Sequence, residues 1–218
     1  MTNDKCLPAG QAGQMKEYRV IGLTGPMGAG KDTVAGILHR QGAEIIDVDK
    51  LAHTLYIPQS LLWQELVKAF GSKILKRGGE INRRKLGAMV FRDRRKIEIL
   101  DQIIHPALKE TVKRELESRE LEIRKLVERV GTGLVPVRKN PIVINAALLK
   151  EIGLIDLVDE VWVVMAPQSI RLKRLMKKGM DKKTALLRMR RQMGQKEYLK
   201  MADKVIWNNK LTPSVPLS

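Results

Sequence analysis

An apolar run, YRVIGLT (Tyr18–Thr24), leads into the glycine-rich turn GPMGAG, and a helical pattern begins at Lys31. This junction constrains the fold more than any other feature. A short continuous apolar run bounded by glycines reads as a buried strand. Val34, Ala35, Ile37 and Leu38 recur at helical spacing, and Gly42 stands at the usual stop position. EIIDVD (Glu44–Asp49) then reads as a second strand. Strand, tight loop, helix and strand in succession open a parallel sheet, because a parallel neighbour needs a crossover connection. The predicted class is α/β, with a parallel sheet in a three-layer α/β/α sandwich.

The turn itself follows G-x-x-x-x-G-K-[ST] from Gly25 to Lys31, except that Asp32 stands where Ser or Thr is usual and Thr33 follows one place late. Triphosphate binding needs inward-facing backbone N–H groups. Gly25, Gly28, Ala29 and Gly30 provide a backbone that can approach closely, and the helix start adds N–H donors and a partial positive charge. Lys31 adds a full charge for the β- and γ-phosphates and is expected to face solvent until nucleotide arrives. Thr33 can reach the α-phosphate. Asp32 admits two readings. It can hold Mg²⁺ through a hard oxygen, or it can simply favour the first turn of the helix.

Phosphoryl transfer to an alcohol needs a group that orients the hydroxyl and takes its proton. The second strand ends in Asp47 and Asp49, two apart and so expected on one strand face. Asp49, nearer the carboxyl end, is the better candidate base. The alternative is that one of the pair caps the next helix.

Further along, SLLWQELVKAFG, RRKLGAMVF and RRKIEILDQII carry apolar stripes, and PALKETVKRELESRELEIRKLVERV reads as a charged helix or helix pair started by Pro106. About residues 50–130 are therefore a helical insertion with the character of a substrate-binding part. Gly131–Pro141 reads as a loop. The sheet resumes with PIVIN (Pro141–Asn145) and EVWVVMA (Glu160–Ala166), then two helices are expected, Gln168–Lys178 and Thr184–Met201, before the strand KVIW (Lys204–Trp207). Arg171, Arg174 and Lys178 share one helix face. They are either a solvated surface or a lid, at about residues 167–196, that clamps phosphates on closure. Residues 1–17 and 211–218 read as a disordered leader and tail around one domain, 18–210.

Lys and Arg number 41 against 24 Asp and Glu, a formal charge of +17. That balance points to polyanionic partners without choosing among them. With aromatics at 4%, there is little material for base stacking, which counts against nucleic acid. The single cysteine, Cys6, excludes an intrachain disulfide and suits a reducing, cytoplasmic setting. No apolar window suggests a signal peptide or a membrane span.

The chain resembles the dephospho-coenzyme A kinases, a P-loop kinase family. The resemblance rests on IGLTGPMGAGKDTVA, on IIDVDKLAH, on INRRKLGAMVFRDRRKIEILDQIIHPALKE with its His105–Pro106 pair, and on ADKVIWNN, in the family's order from about Arg19 to Lys210. It implies ATP and Mg²⁺ as cofactors and 3′-phosphorylation of dephospho-coenzyme A. It places the catalytic aspartate at Asp49, substrate-binding positions at Arg83 and His105, with Asp47 beside them, and the adenine-side loop at Asn208 and Asn209. At the end of an apolar helix, His105 reads as a structural or substrate-contacting histidine ahead of a proton shuttle. The chain departs from the family pattern at Asp32, at His53 where Arg is usual, and at Lys178–Gly179 where an Arg-Asp pair is usual. It also departs at NAALLKE (Asn145–Glu151), where D-x-P-L-L-x-E is usual, and in a longer stretch from Ser118 to Asn140. A nucleoside or nucleotide monophosphate kinase of the same fold, and a nucleic-acid-binding P-loop protein, are the rival readings.

Lys31→Ala is expected to abolish phosphoryl transfer in a folded protein. Any binding to nucleic acid through the general positive charge would survive that change and fall steeply with salt. Near-normal turnover by the folded variant would remove the phosphate-loop assignment.

Overall fold

The computed structural model describes residues 18–90, 93–130 and 140–209, with backbone alone for 126–130. The expected leader, tail and most of the Gly131–Pro141 loop lie outside the described residues. Five parallel strands form one sheet in the order β2-β3-β1-β4-β5. They are β1 (Val20–Thr24), β2 (Glu44–Asp47), β3 (Ile142–Asn145), β4 (Glu160–Met165) and β5 (Lys204–Trp207). β1 lies at the centre, and the chain winds away from it in both directions. In such sheets the crevice beyond the strands' carboxyl ends, where the order reverses, is the usual ligand position.

Alternation along the strands builds two cores. Val20, Ile142, Ile144, Val161, Val163 and Met165 face the long helix α5 (Arg94–Val130), meeting Leu108, Val112 and Leu116. Ile21, Leu23, Val143, Trp162 and Val164 face the opposite way, onto Val34, Ala35 and Leu38 of α1 (Lys31–Arg40). Both sheet faces are covered, which is the expected three-layer α/β/α arrangement. A third apolar cluster lies among the helices α3 (Leu61–Phe70), α4 (Arg83–Val90) and α5, centred on Leu62, Leu66 and Leu86. A small fourth one joins α6 (Gln168–Lys177) to α7 (Lys182–Arg190) through Leu175, Ala185 and Met189.

Three expected elements differ. First, β2 stops at Asp47, and α2 (Val48–Thr54) begins at once. The Asp47 carboxylate accepts from the Lys50 N–H at 3.0 Å, a favoured N-cap that ends the strand locally. Asp47 and Asp49 therefore do not share a strand face. Second, Pro106 lies inside α5 instead of starting a helix. An interior proline costs about 3 kcal/mol. α5, however, buries Leu108, Val112 and Leu116 under the sheet and packs Ile97, Leu100 and Ile103 against the third cluster. At about 1.5–3 kcal/mol per buried large apolar side chain, packing outweighs the missing hydrogen bond. Third, Thr184–Met201 is not one helix. It divides into α7 and α8 (Gln195–Lys200), and the Glu197 carboxylate accepts from the Gly194 N–H at 2.9 Å to start α8.

Among the described residues no helix is long and apolar enough to cross a membrane.

Ile144 is fully buried in the first core, whereas Leu148, just beyond the end of β3, is 41% exposed. Ile144→Ala is expected to lower unfolding free energy by about 2–5 kcal/mol, and Leu148→Ala by about 0.5 kcal/mol or less. Denaturant titration checks this, and equal losses would contradict the layer assignment.

Candidate active site

The loop from Gly25 to Gly30 turns tightly between β1 and α1, with the Ala29 N–H donating to the Pro26 carbonyl at 3.0 Å. Two glycines are required by their surroundings. Gly25 lies against the Val164 carbonyl and Gly30 against the Asn208 amide, and a Cβ at either place would overlap that neighbour. Gly30 also has φ +97° as the residue before α1, a left-handed conformation that β-carbon-bearing residues avoid. No side chain caps the start of α1, so its partial positive charge points into the crevice uncompensated by a cap.

Lys31 is held in place. Its ammonium donates to Asn145 Oδ1 at 2.9 Å and to Asp32 Oδ1 at 3.3 Å, and lies 3.8 Å from Asp49 Oδ2. Only 10% of its side chain is exposed, so the expected solvent-facing lysine is corrected. The reason is tertiary. Asn145 ends β3 in register with Leu23 of β1 and Asp47 of β2, directly beneath the loop. It is 3% exposed, and its amide supplies the acceptor that a buried ammonium needs. The Asp32 side chain is 76% exposed. Partial desolvation raises its pKa, but the neighbouring Lys31 charge, hydrogen bonds from Asn145 and Lys31, and the Lys178 charge outweigh this and hold the carboxyl below its ordinary value.

Lys31 and Asp32 line a cleft of about 640 Å³, together with Gly25, Gly28, Gly30, Thr33, Asp49, Arg174, Lys178 and Asn208. Most of the sequence candidates thus converge. Ala29, within the loop, is fully buried, and Asn209 is exposed beyond the end of β5. Asp47 is occupied as the cap of α2. Arg83 begins α4 and lies away from the cleft lining. Its Nη2 donates to His53 Nε2 at 2.6 Å, which requires that nitrogen to be unprotonated, and its guanidinium lies 5.8 Å from the Tyr56 ring centroid. His105 is in α5, 3.6 Å from the Asp101 carboxylate. Gln192 was not visible in the sequence. The break between α7 and α8 carries it over the loop, where its side-chain oxygen accepts from the Met27 N–H at 2.7 Å. Asn145 was visible only as a departure at a strand end.

The basic helix α6 does more than present a charged face. Arg174 donates to the carbonyls of Gly28 (3.2 Å), Ala29 (2.9 Å) and Asn208 (3.1 Å), and to Asn208 Oδ1 (3.1 Å). Asn208, 2% exposed, donates to the Ala29 carbonyl at 2.8 Å. Together they satisfy the carbonyls of Gly28 and Ala29. Arg171 lies beside them with its Nε buried and unpaired, and desolvation lowers its pKa. Burial also pushes the nearby Tyr198 phenol up to about 12.

Arg174→Ala is expected to cost the nucleotide-free protein about 2 kcal/mol or more, since hydrogen bonds from a charged donor contribute about 1.5–3 kcal/mol. Thermal or denaturant unfolding without nucleotide reads this. An arginine that served only on lid closure would leave that stability unchanged and lower turnover alone.

The comparisons agree with this geometry. The family model described as dephospho-CoA kinase matches residues 19–213. The dephospho-CoA kinase of Carboxydothermus hydrogenoformans is 38% identical over 191 residues, 87% of this chain and 85% of the relative. That of Aquifex aeolicus is 35% identical over 189 residues, covering 87% and 88%. Among solved structures, a protein of Thermus thermophilus superposes with a TM-score of 0.69 at 27% identity, covering 89% of this chain and 90% of that one. The dephospho-CoA kinase of Campylobacter jejuni does so with a TM-score of 0.61 at 25% identity, covering 90% of each. With a parallel sheet, a glycine-rich phosphate loop and a family match across the described core, this chain belongs to the dephospho-CoA kinase family.

Proposed function

We propose that the protein transfers the γ-phosphoryl group of ATP to the 3′-hydroxyl of dephospho-coenzyme A, giving coenzyme A and ADP, in the cytoplasm. The observation that carries this is the approach of Asp49 to within 3.8 Å of the Lys31 ammonium in the cleft under the phosphate loop, in a chain matched to that family from residue 19 to 213. The loop N–H groups and the start of α1 bind the triphosphate. Lys31 shifts from Asn145 toward the β- and γ-oxygens and balances charge as the bridging P–O bond breaks. Asp49 accepts the proton of the attacking 3′-hydroxyl as the new P–O bond forms. Asp47 acts through its cap, which aims the first turn of α2 and so Asp49.

The residues present suit Mg²⁺. Asp32 and Asp49 bring hard, largely exposed carboxylates to one ammonium, at 76% and 64% side-chain exposure. Among the described residues no group of three or more His, Cys, Asp or Glu side chains forms a cage. Magnesium usually takes one or two carboxylates and completes its shell with phosphate oxygens and water. When bound, it neutralises charge on the β- and γ-phosphates. Asp32 is its proposed protein ligand. On the acceptor side Arg83, with His53 and Tyr56 beside it, and His105 are proposed to hold the coenzyme. The α6–α7 segment, with Arg171, Arg174 and Lys178, is the proposed lid, Lys178 bringing charge to Asp32's side of the cleft. Asn208 and Asn209 border the adenine.

Asp49→Asn is expected to lower turnover about 100- to 10,000-fold with ATP affinity little changed. Asp47→Asn keeps most activity, because Asn caps a helix as well as Asp does. The reverse result moves the base to Asp47. An acceptor panel read by ADP release tests the substrate: dephospho-coenzyme A is expected to be preferred over nucleosides and nucleoside monophosphates, and preference for one of those would overturn the proposal.

A further inference from the structure

Gln192 is held by one end of its amide only. The bend between α7 and α8 carries it to the phosphate loop, where its side-chain oxygen accepts from the Met27 N–H at 2.7 Å. A backbone N–H only donates, so the atom facing Met27 is the oxygen, and the NH2 group lies on the other branch of the amide. Among the described residues that NH2 group has no acceptor, and it is open to solvent, not a buried orphan. Gln192 also lines the cleft, together with Gly28, Lys31, Asp32, Arg174 and Lys178. We propose that Gln192 is a further nucleotide-binding residue: its oxygen anchors the loop, and its NH2 group donates to a phosphate oxygen of the bound nucleotide.

The surroundings hold the amide in place. The Met27 side chain packs with Leu172, Leu175, Met180, Ala185 and Met189 in the cluster between α6 and α7. Gly28 lies against the backbone of α6, where a Cβ would come within 2.8 Å of the Arg171 carbonyl oxygen. Arg174 takes the carbonyls of Gly28 and Ala29. The segment that carries Gln192 is thus joined to the loop at three successive residues. The amide is placed before nucleotide arrives, so little conformational freedom is lost in using it. The residue type suits both duties. A glutamine accepts and donates at once without charge, whereas a glutamate would set a carboxylate against the triphosphate and a lysine could not accept from Met27. Met27 gives its N–H to Gln192, and Gln192 returns a donor to the cleft. This inference rests on the ATP-binding part of the proposed function and not on the identity of the acceptor.

Gln192→Glu and Gln192→Met test it in the full-length protein. Calorimetry gives Mg-ATP affinity relative to wild type, without acceptor, at about 0.1 M and about 1 M salt. Melting is measured without nucleotide. Gln192→Glu keeps the acceptor for Met27 and removes the donor. It is expected to melt close to wild type and to bind Mg-ATP about tenfold or more weakly at both salt concentrations, because a hydrogen bond to a charged group is lost. Repulsion acting only at a distance would be screened at the higher salt, where the Debye length falls from about 10 Å to about 3 Å. Gln192→Met removes both ends of the amide and is expected to lower melting temperature and affinity together. A Gln192 that only anchors the loop would leave Gln192→Glu with wild-type affinity at the higher salt, and that result would overturn the proposal. So would a Gln192→Met protein that melts lower yet binds Mg-ATP as wild type does. Should one variant fail to fold, the affinity of the other decides. A wild-type protein that binds no ATP at all would instead overturn the proposed function.

Discussion

The Lys31 ammonium, mostly shielded from solvent, organises the cleft. Lys31 sits at the first position of α1 with 10% of its side chain exposed, and a cation so placed must be compensated by nearby oxygens. The compensation comes from the adjacent Asp32 on α1 and from two elements farther along the chain, Asn145 at the end of β3 and Asp49 in the first turn of α2. Each is carried there by the parallel sheet, whose strands all end on the same side. The alignment of Leu23, Asn145 and Asp47 across three neighbouring strands is what brings loop, amide and acid to one place. Alter the strand order and the lysine loses its partners.

The loop above that lysine is shaped from outside as well as from within. Arg174 and Asn208 take up the carbonyls of Gly28 and Ala29, and Gln192 holds the Met27 N–H. These three side chains come from α6, from the end of β5 and from the break between α7 and α8. The basic helix is therefore tied to the phosphate loop even without nucleotide. A group that claimed the Met27 N–H would have to displace the Gln192 side chain.

The helical part obeys a different constraint. α5 runs through Pro106 because it serves two cores at once, the sheet's lower face and the cluster of α3 and α4. Its continuity fixes how the Arg83 and His53 pair is carried relative to the sheet. The hydrogen bond between that pair needs His53 Nε2 as its acceptor, since the guanidinium only donates.

The class of fold, the phosphate loop and the identity of its lysine were legible in the sequence, because strand, glycine turn and helix are local patterns with local causes. The family segments, with their order and spacing, made the activity legible too. The end of β2 was misread because alternation cannot show that Asp47 bonds the Lys50 N–H and turns the chain into a helix. The proline in α5 was read as a start because its cost is local, whereas the burial that outweighs it comes from elsewhere. Asn145 showed only as an odd letter in a strand-end motif, and Gln192 showed nothing at all, since both act on residues far away in the chain. The sequence by itself determined which chemistry-bearing residues exist and which short elements carry them. Only the tertiary structure decided their company: Asn145 between Lys31 and Asp32, Arg174 under the loop, Asp47 as a cap. The physical reason is that backbone patterns are set by near neighbours, while the pairing of buried charges and amides is set by which strand ends the sheet places side by side.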